Sequence, residues 1–143
     1  MHISPRRLNY ITDIAQECLY KFGTRNPFLI LKYLQIECSF VNTQYTNAFL
    51  TKDTNGNSTV YISNSLGKYY QKILCAHELG HILLHPKHAL HLFGESKDDQ
   101  LEYEANLFAL SLMPQIQPRD KHYLEYAPHE LQKYLEEKIH MHG

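Results

Sequence analysis

Residues 77–81 read His-Glu-Leu-Gly-His, and they lie inside an apolar run, with Ile73, Leu74 and Ala76 before them and Ile82-Leu83-Leu84 after. Such flanks put the segment deep in a largely buried helix. Burying two imidazoles and a carboxylate is costly unless they are paired or put to use. Residues i and i+4 share one helix face, so His77 and His81 can bind one Zn²⁺, while Glu78 points beside the metal at its water. That sets the terms for the rest of the chain. It must hold this helix rigidly, back it with other elements and supply a further ligand.

The remaining composition narrows the class. The chain has 143 residues, the usual size of one domain, so a single unit over 1–143 is expected. Hydrophobic residues make up 43% and charged residues 20%, which excludes an intrinsically disordered chain. A net charge of −1 leaves no electrostatic footprint for nucleic acid or anionic membrane. No apolar stretch is long enough for a transmembrane helix, and the first residues lack the apolar core of a signal peptide. Cys18, Cys38 and Cys75 have no paired spacing, which suggests reduced thiols and a cytoplasmic setting.

Ser4-Pro5 reads as an N-cap and first helical residue, followed by Leu8, Ile11, Ala15, Cys18 and Leu19 at helical spacing, with Gly23 placed to end the helix. Asn26-Pro27 repeats the signature before a shorter helix, whose Phe28-Leu29-Ile30-Leu31 argues for burial. From Ile36 to Ser63 the period changes to two. Three short antiparallel strands are expected, the last two joined by a tight turn at Asn55-Gly56. Asn64-Ser65 can cap the metal helix, expected from Leu66 to His85 and stopped by Pro86. A polar loop leads to a helix from Asp99 to Met113, and Pro128 opens a final helix with Leu131, Leu135 and Ile139 on one stripe. The whole is an α+β chain.

Two histidines alone leave a metal site too open, so a third ligand is needed. His85 continues the i, i+4 series, but eight residues separate it from His77, about 12 Å along a helix. It reads better as a C-terminal helix residue favoured by the macrodipole. The metzincin extension is excluded, because Leu84 and Lys87 stand where glycine and histidine would be required. His88 and His91, in the loop, remain possible ligands. The better candidate is Glu102, on one helical face with Ala105, Asn106 and Ala109. The two alanines permit close helix approach, and the Asn106 amide can accept the free N–H of His77 or His81. Glu104 projects roughly opposite Glu102 and reads as a solvent-facing charge.

Taken together, His77-Glu-Leu-Gly-His81, Glu102-Tyr-Glu-Ala-Asn-Leu-Phe-Ala109 and Leu112-Met113-Pro114 resemble the ImmA/IrrE family of metallopeptidases. The family pattern is a His-Glu-Leu-Gly-His helix, then Glu-x-Glu/Gln-Ala-Asn/Asp-x-Phe-Ala, then a Leu-Met-Pro-like stop. Order and element type agree over roughly 25–114, the motifs only within 77–114. The resemblance implies a minimal gluzincin-like fold, with His77, His81 and Glu102 as ligands and Glu78 as catalytic acid/base. It also implies a prophage or mobile-element setting and a partner, a helix-turn-helix repressor encoded nearby that the protease cleaves or inactivates. Only about thirty residues follow Pro114, fewer than in many members.

The chemistry expected is peptide hydrolysis assisted by Zn²⁺, or by Mn²⁺. The metal activates a water, and Glu78 takes its proton and delivers it to the leaving amine. A peptide would most simply add as a strand beside Thr59–Ser63. The competing reading is a metal-binding regulatory module that sequesters a repressor without cutting it. The intact Glu78 separates the two, since a purely structural metal site has no use for an acid there.

Overall fold

The computed structural model describes residues 2–43, 46–86, 90–92 and 99–142, with side chains described except at 90–92 and 139–142. Among these residues the elements run α1 (Pro5–Phe22), α2 (Pro27–Tyr33), β1 (Glu37–Val41), β2 (Ala48–Lys52), β3 (Ser58–Ser63), α3 (Lys68–Leu84), β4 (Leu90–Leu92), α4 (Asp99–Leu112) and α5 (Pro128–His142). The α+β class read from the sequence is the observed one.

The caps act as their chemistry dictates. The Ser4 side chain accepts from the Arg7 N–H at 3.1 Å, and the Asn26 side chain accepts from the Phe28 N–H at 3.0 Å. Gly23 closes α1 at φ 69°, in the left-handed region that a side chain disfavours. Neither Asn64 nor Ser65 caps α3. Its N-cap is Gly67, with no side-chain bond, and the Ser65 hydroxyl instead pairs with that of Ser63 at 2.8 Å. In α2, Ile30 and Leu31 are buried but Leu29 is exposed, because a helix this short lies against its neighbours on one side only.

The sheet differs from the expected three antiparallel strands. It has four, in the order β1-β3-β2-β4, and it is mixed. β2 is antiparallel to β3 and to β4, whereas β1 runs parallel to β3, with Cys38 opposite Val60 and Phe40 opposite Ile62. β1 and β2, consecutive in the chain, are thus separated in the sheet by β3. Alternation of apolar residues specifies a strand and its faces but not its neighbour, so this crossover is invisible in the pattern. The Thr59–Ser63 strand is therefore internal, paired on both sides, and offers no free edge for a peptide. β4, within the stretch expected to be a loop, is too short at three residues to show a period.

The β2–β3 connection uses five residues. Gly56, at φ 84°, takes the one left-handed position, and the Asp53 carboxylate accepts from the N–H groups of Asn55 and Asn57. On the inner sheet face Ala48, Leu50, Val60 and Ile62 are buried; on the other, Phe49 stacks on Tyr61 with centroids 4.7 Å apart.

The helices decide where chemistry can happen. α3 packs on β2 and β3 and against α2, while α4 is covered by α3, α1 and α5. Every residue from Glu102 to Leu110 is buried. At Gly80, α3 comes close to the backbone of α4. A Cβ there would stand 3.2 Å from both the Cα and the carbonyl oxygen of Ala105, and 3.1 Å from the Phe108 ring. Leu131 and Leu135 of α5 are buried, and Ile139 lies outside the described side chains. Among the described residues no helix is long and apolar enough to cross a membrane.

Candidate metal centre

The close helix contact brings His77 and His81 of α3 against Glu102 of α4. The Nε2 atom of His77 lies 3.0 Å from Glu102 Oε2, and that of His81 lies 2.9 Å from Glu102 Oε1. The two rings are nearly perpendicular, with centroids 4.8 Å apart. All three donor atoms fall within 4.8 Å of one another and are buried. Bonds of about 2.0–2.1 Å at tetrahedral angles require donors about 3.3 Å apart. The donor set, two imidazoles and a carboxylate, suits a divalent ion of the zinc type.

Electrostatics agree with a cradle for positive charge. Burial alone would raise the pKa of Glu102, but the charges and hydrogen bonds of His77 and His81 outweigh it and hold the carboxyl well below the usual range. Glu78 behaves oppositely. It is fully buried, and neither carboxylate oxygen has a hydrogen-bond partner among the described residues. Burial pushes its pKa up to about 8, with the His77 charge opposing and the Glu102 charge adding to the rise. Two carboxylates in one site are thereby driven apart, one a committed anion and the other able to hold a proton near neutrality.

Each imidazole is oriented from behind. The His77 Nδ1 lies 2.7 Å from the Asn106 Oδ1. The Asn106 Nδ2 donates to the Gln132 Oε1 at 2.8 Å, and the Gln132 Nε2 donates to a Glu136 carboxylate oxygen at 3.0 Å. The carboxylate can only accept, so it sets the direction of both amides, and the Asn106 oxygen is left to receive the His77 N–H. Beside Glu102 and Asn106, a cleft of about 390 Å³ opens between α4 and α5, lined also by His129, Gln132 and Lys133.

Glu104 corrects the sequence reading. It stays out of the His77–His81–Glu102 cluster, but it is no solvent-facing charge, being only 6% exposed. Its carboxylate accepts from the Arg7 Nε at 3.1 Å and from Nη2 at 2.8 Å, and it lies 3.0 Å from the His85 Nε2. The physical reason is that α4 has no wet face over residues 102–110. The run Ala105–Leu110 is apolar nearly all round, the mark of a helix covered on every side, and that signal was available. His85 is the C-cap of α3, as read, but its ring is buried beside that of His81, the Nδ1 atoms 3.0 Å apart. His88 lies outside the described residues and His91 outside the described side chains. Cys18 and Cys75 are buried and Cys38 half-buried, all as free thiols, and none joins the cluster.

Comparison with known proteins agrees with the motifs. The family model of the IrrE N-terminal-like domain, a peptidase family, matches residues 36–140. The match starts later than the 25–114 span of the sequence resemblance and reaches further, into α5. An uncharacterized immunity region protein 2 of Bacillus phage phi105 is 30% identical over 106 residues, covering 72% of this chain and 67% of that protein.

Proposed function

Because the chain belongs to the IrrE N-terminal-like family of peptidases, we propose that it is a zinc-dependent endopeptidase in which His77, His81 and Glu102 hold the metal and Glu78 is the catalytic acid/base. The bound ion supplies Lewis acidity towards a water molecule and the scissile carbonyl. The protein's own residues do the rest. Asn106 keeps His77 turned with Nε2 forward, and the buried Glu78 moves one proton from the water to the leaving amine. A pKa raised by burial suits a group that must take a proton and release it within one turnover.

The observation that carries this reading is the buried Glu78 carboxylate, without a hydrogen-bond partner among the described residues and close enough to feel the charges of His77 and Glu102. A site that only binds metal gains nothing from that expense. Residues 1–143 act as one metallopeptidase domain in this reading, since α1, outside the matched segment, packs on the ligand-bearing α4.

The likeness to a phage immunity region protein supports a prophage or mobile-element setting; a cytoplasmic location and, as substrate, a helix-turn-helix repressor encoded in the same locus complete the proposal, on the family resemblance of the motifs. The test is incubation with that repressor, with and without chelator, comparing wild type with Glu78→Gln. Metal-dependent cleavage by wild type alone is expected. A stable complex without cleavage in either protein would make this a sequestering module instead.

A further inference from the structure

Behind His81 runs a second chain of contacts that the peptidase reading does not use. The His81 Nδ1 meets the His85 Nδ1 at 3.0 Å, the His85 Nε2 meets Glu104 Oε1 at 3.0 Å, and Arg7 holds Glu104 through Nε and Nη2. We propose that His85 and Glu104 are positioning residues of the metal site, fixing His81 in the tautomer that presents Nε2 to the metal, with Arg7 of α1 anchoring Glu104 for that task.

The direction of each hydrogen follows from the two ends. Arg7 can only donate, and an ionised Glu104 can only accept. The Arg7 Nε at 3.1 Å and Nη2 at 2.8 Å both point at the Glu104 carboxylate, which leaves it an acceptor for the His85 Nε2 at 3.0 Å. A neutral His85 therefore carries its hydrogen on Nε2, towards Glu104, and turns a lone pair on Nδ1 towards His81. His81 must then donate from Nδ1, which leaves the lone pair of Nε2 facing Glu102 and the ion. A histidine that binds a metal through one nitrogen needs an acceptor for the other. For His77 that acceptor is an amide backed by α5; for His81 it is an imidazole backed by a carboxylate and by α1. The eight residues from His77 keep His85 from the ion, but its four-residue spacing from His81 sets the two rings together.

The inference rests on the metal-site reading above, and its test separates the two. Zn²⁺ affinity of the full chain is measured by competition with a chromophoric chelator, and imidazole tautomers by ¹⁵N NMR, for wild type, Glu102→Ala, His85→Phe, His85→Gln and Arg7→Met. Phenylalanine fills the space of the ring but offers no acceptor; glutamine restores one. His85→Phe should bind Zn²⁺ about 10- to 100-fold more weakly, with the His81 hydrogen no longer confined to Nδ1, and His85→Gln should recover most of the loss. Arg7→Met, at the half-exposed end of the chain, should weaken binding in the same direction, and it keeps the test open should His85→Phe fail to fold. If Glu102→Ala abolishes binding while the His85 and Arg7 variants match wild type in affinity and tautomer, the metal site stands and this proposal falls. If Glu102→Ala binds like wild type, the metal-site reading itself is wrong.

Discussion

A Cβ added to Gly80 would lie 3.2 Å from the Cα of Ala105, so the helix that carries two imidazoles and the helix that carries the third donor meet where an added methyl would press on backbone. In an exposed helix, Gly→Ala gains about 1 kcal/mol of propensity. Here the added methyl faces backbone, which cannot rotate away, and overpacking costs about 1–3 kcal/mol. Gly80→Ala is therefore expected to be destabilising by up to about 2 kcal/mol net, and to weaken Zn²⁺ binding by moving Glu102 away from His77 and His81. Urea unfolding and zinc competition on the same variant check both, and a variant as stable as wild type would show that the helices have room to part.

Metal binding should stabilise the fold, because the donors come from two helices and bring an ion into contact with both. An ion that binds only the native state adds about 2.7 kcal/mol at a free concentration of 100 Kd. For a chain of this size that is a rise in Tm of roughly 5–10 °C. Scanning calorimetry with and without one equivalent of Zn²⁺ measures it, and Glu102→Ala should abolish the shift.

Glu78→Gln should leave metal content and fold intact while removing proteolysis, since the amide cannot take the water's proton. It should also change the pH dependence of stability in chelator. The Glu78 pKa is raised in the fold, from 4.5 to about 8. The unfolded chain therefore gains by ionising as pH rises through 4.5, and the folded chain does so only near 8. Wild type accordingly loses stability relative to Glu78→Gln across that window, reaching about 1–3 kcal/mol, the cost of a buried polar group left unsatisfied. Parallel stability curves for the two proteins between about pH 5 and about pH 8 would contradict the burial argument.

Glu104 gives the opposite sign. Its pKa falls from 4.5 to about 2 on folding, because the hydrogen bonds of His85 and Arg7 overcome the effect of burial. The stability it contributes is complete above its unfolded pKa and is lost as pH falls towards the folded one. The gap in urea midpoint between wild type and Glu104→Gln should therefore be widest at neutral pH and narrow from about pH 5 to about pH 3. A gap that stays constant would mean the carboxylate is not ion-paired in solution.

Residues 77–81 and the caps at Ser4, Asn26 and Gly23 speak through local rules, a four-residue helix face and the unmet hydrogen bonds of helix ends, so the sequence by itself determined the metal helix, its i, i+4 histidines and the boundaries of α1 and α2. It also singled out Glu102 over Glu104, because 200° of rotation puts them on different faces and only that of Glu102 carries Ala105, Asn106 and Ala109. What no local rule could supply was which element would cover which. That β3 lies between β1 and β2, that Glu104 is buried against Arg7 from 97 residues earlier, and that Gln132 stands behind Asn106 were decided only when the chain packed. Hydrophobic period reports that a face is buried, not by what, and a polar group at long sequence separation finds its partner only where tertiary packing closes the distance.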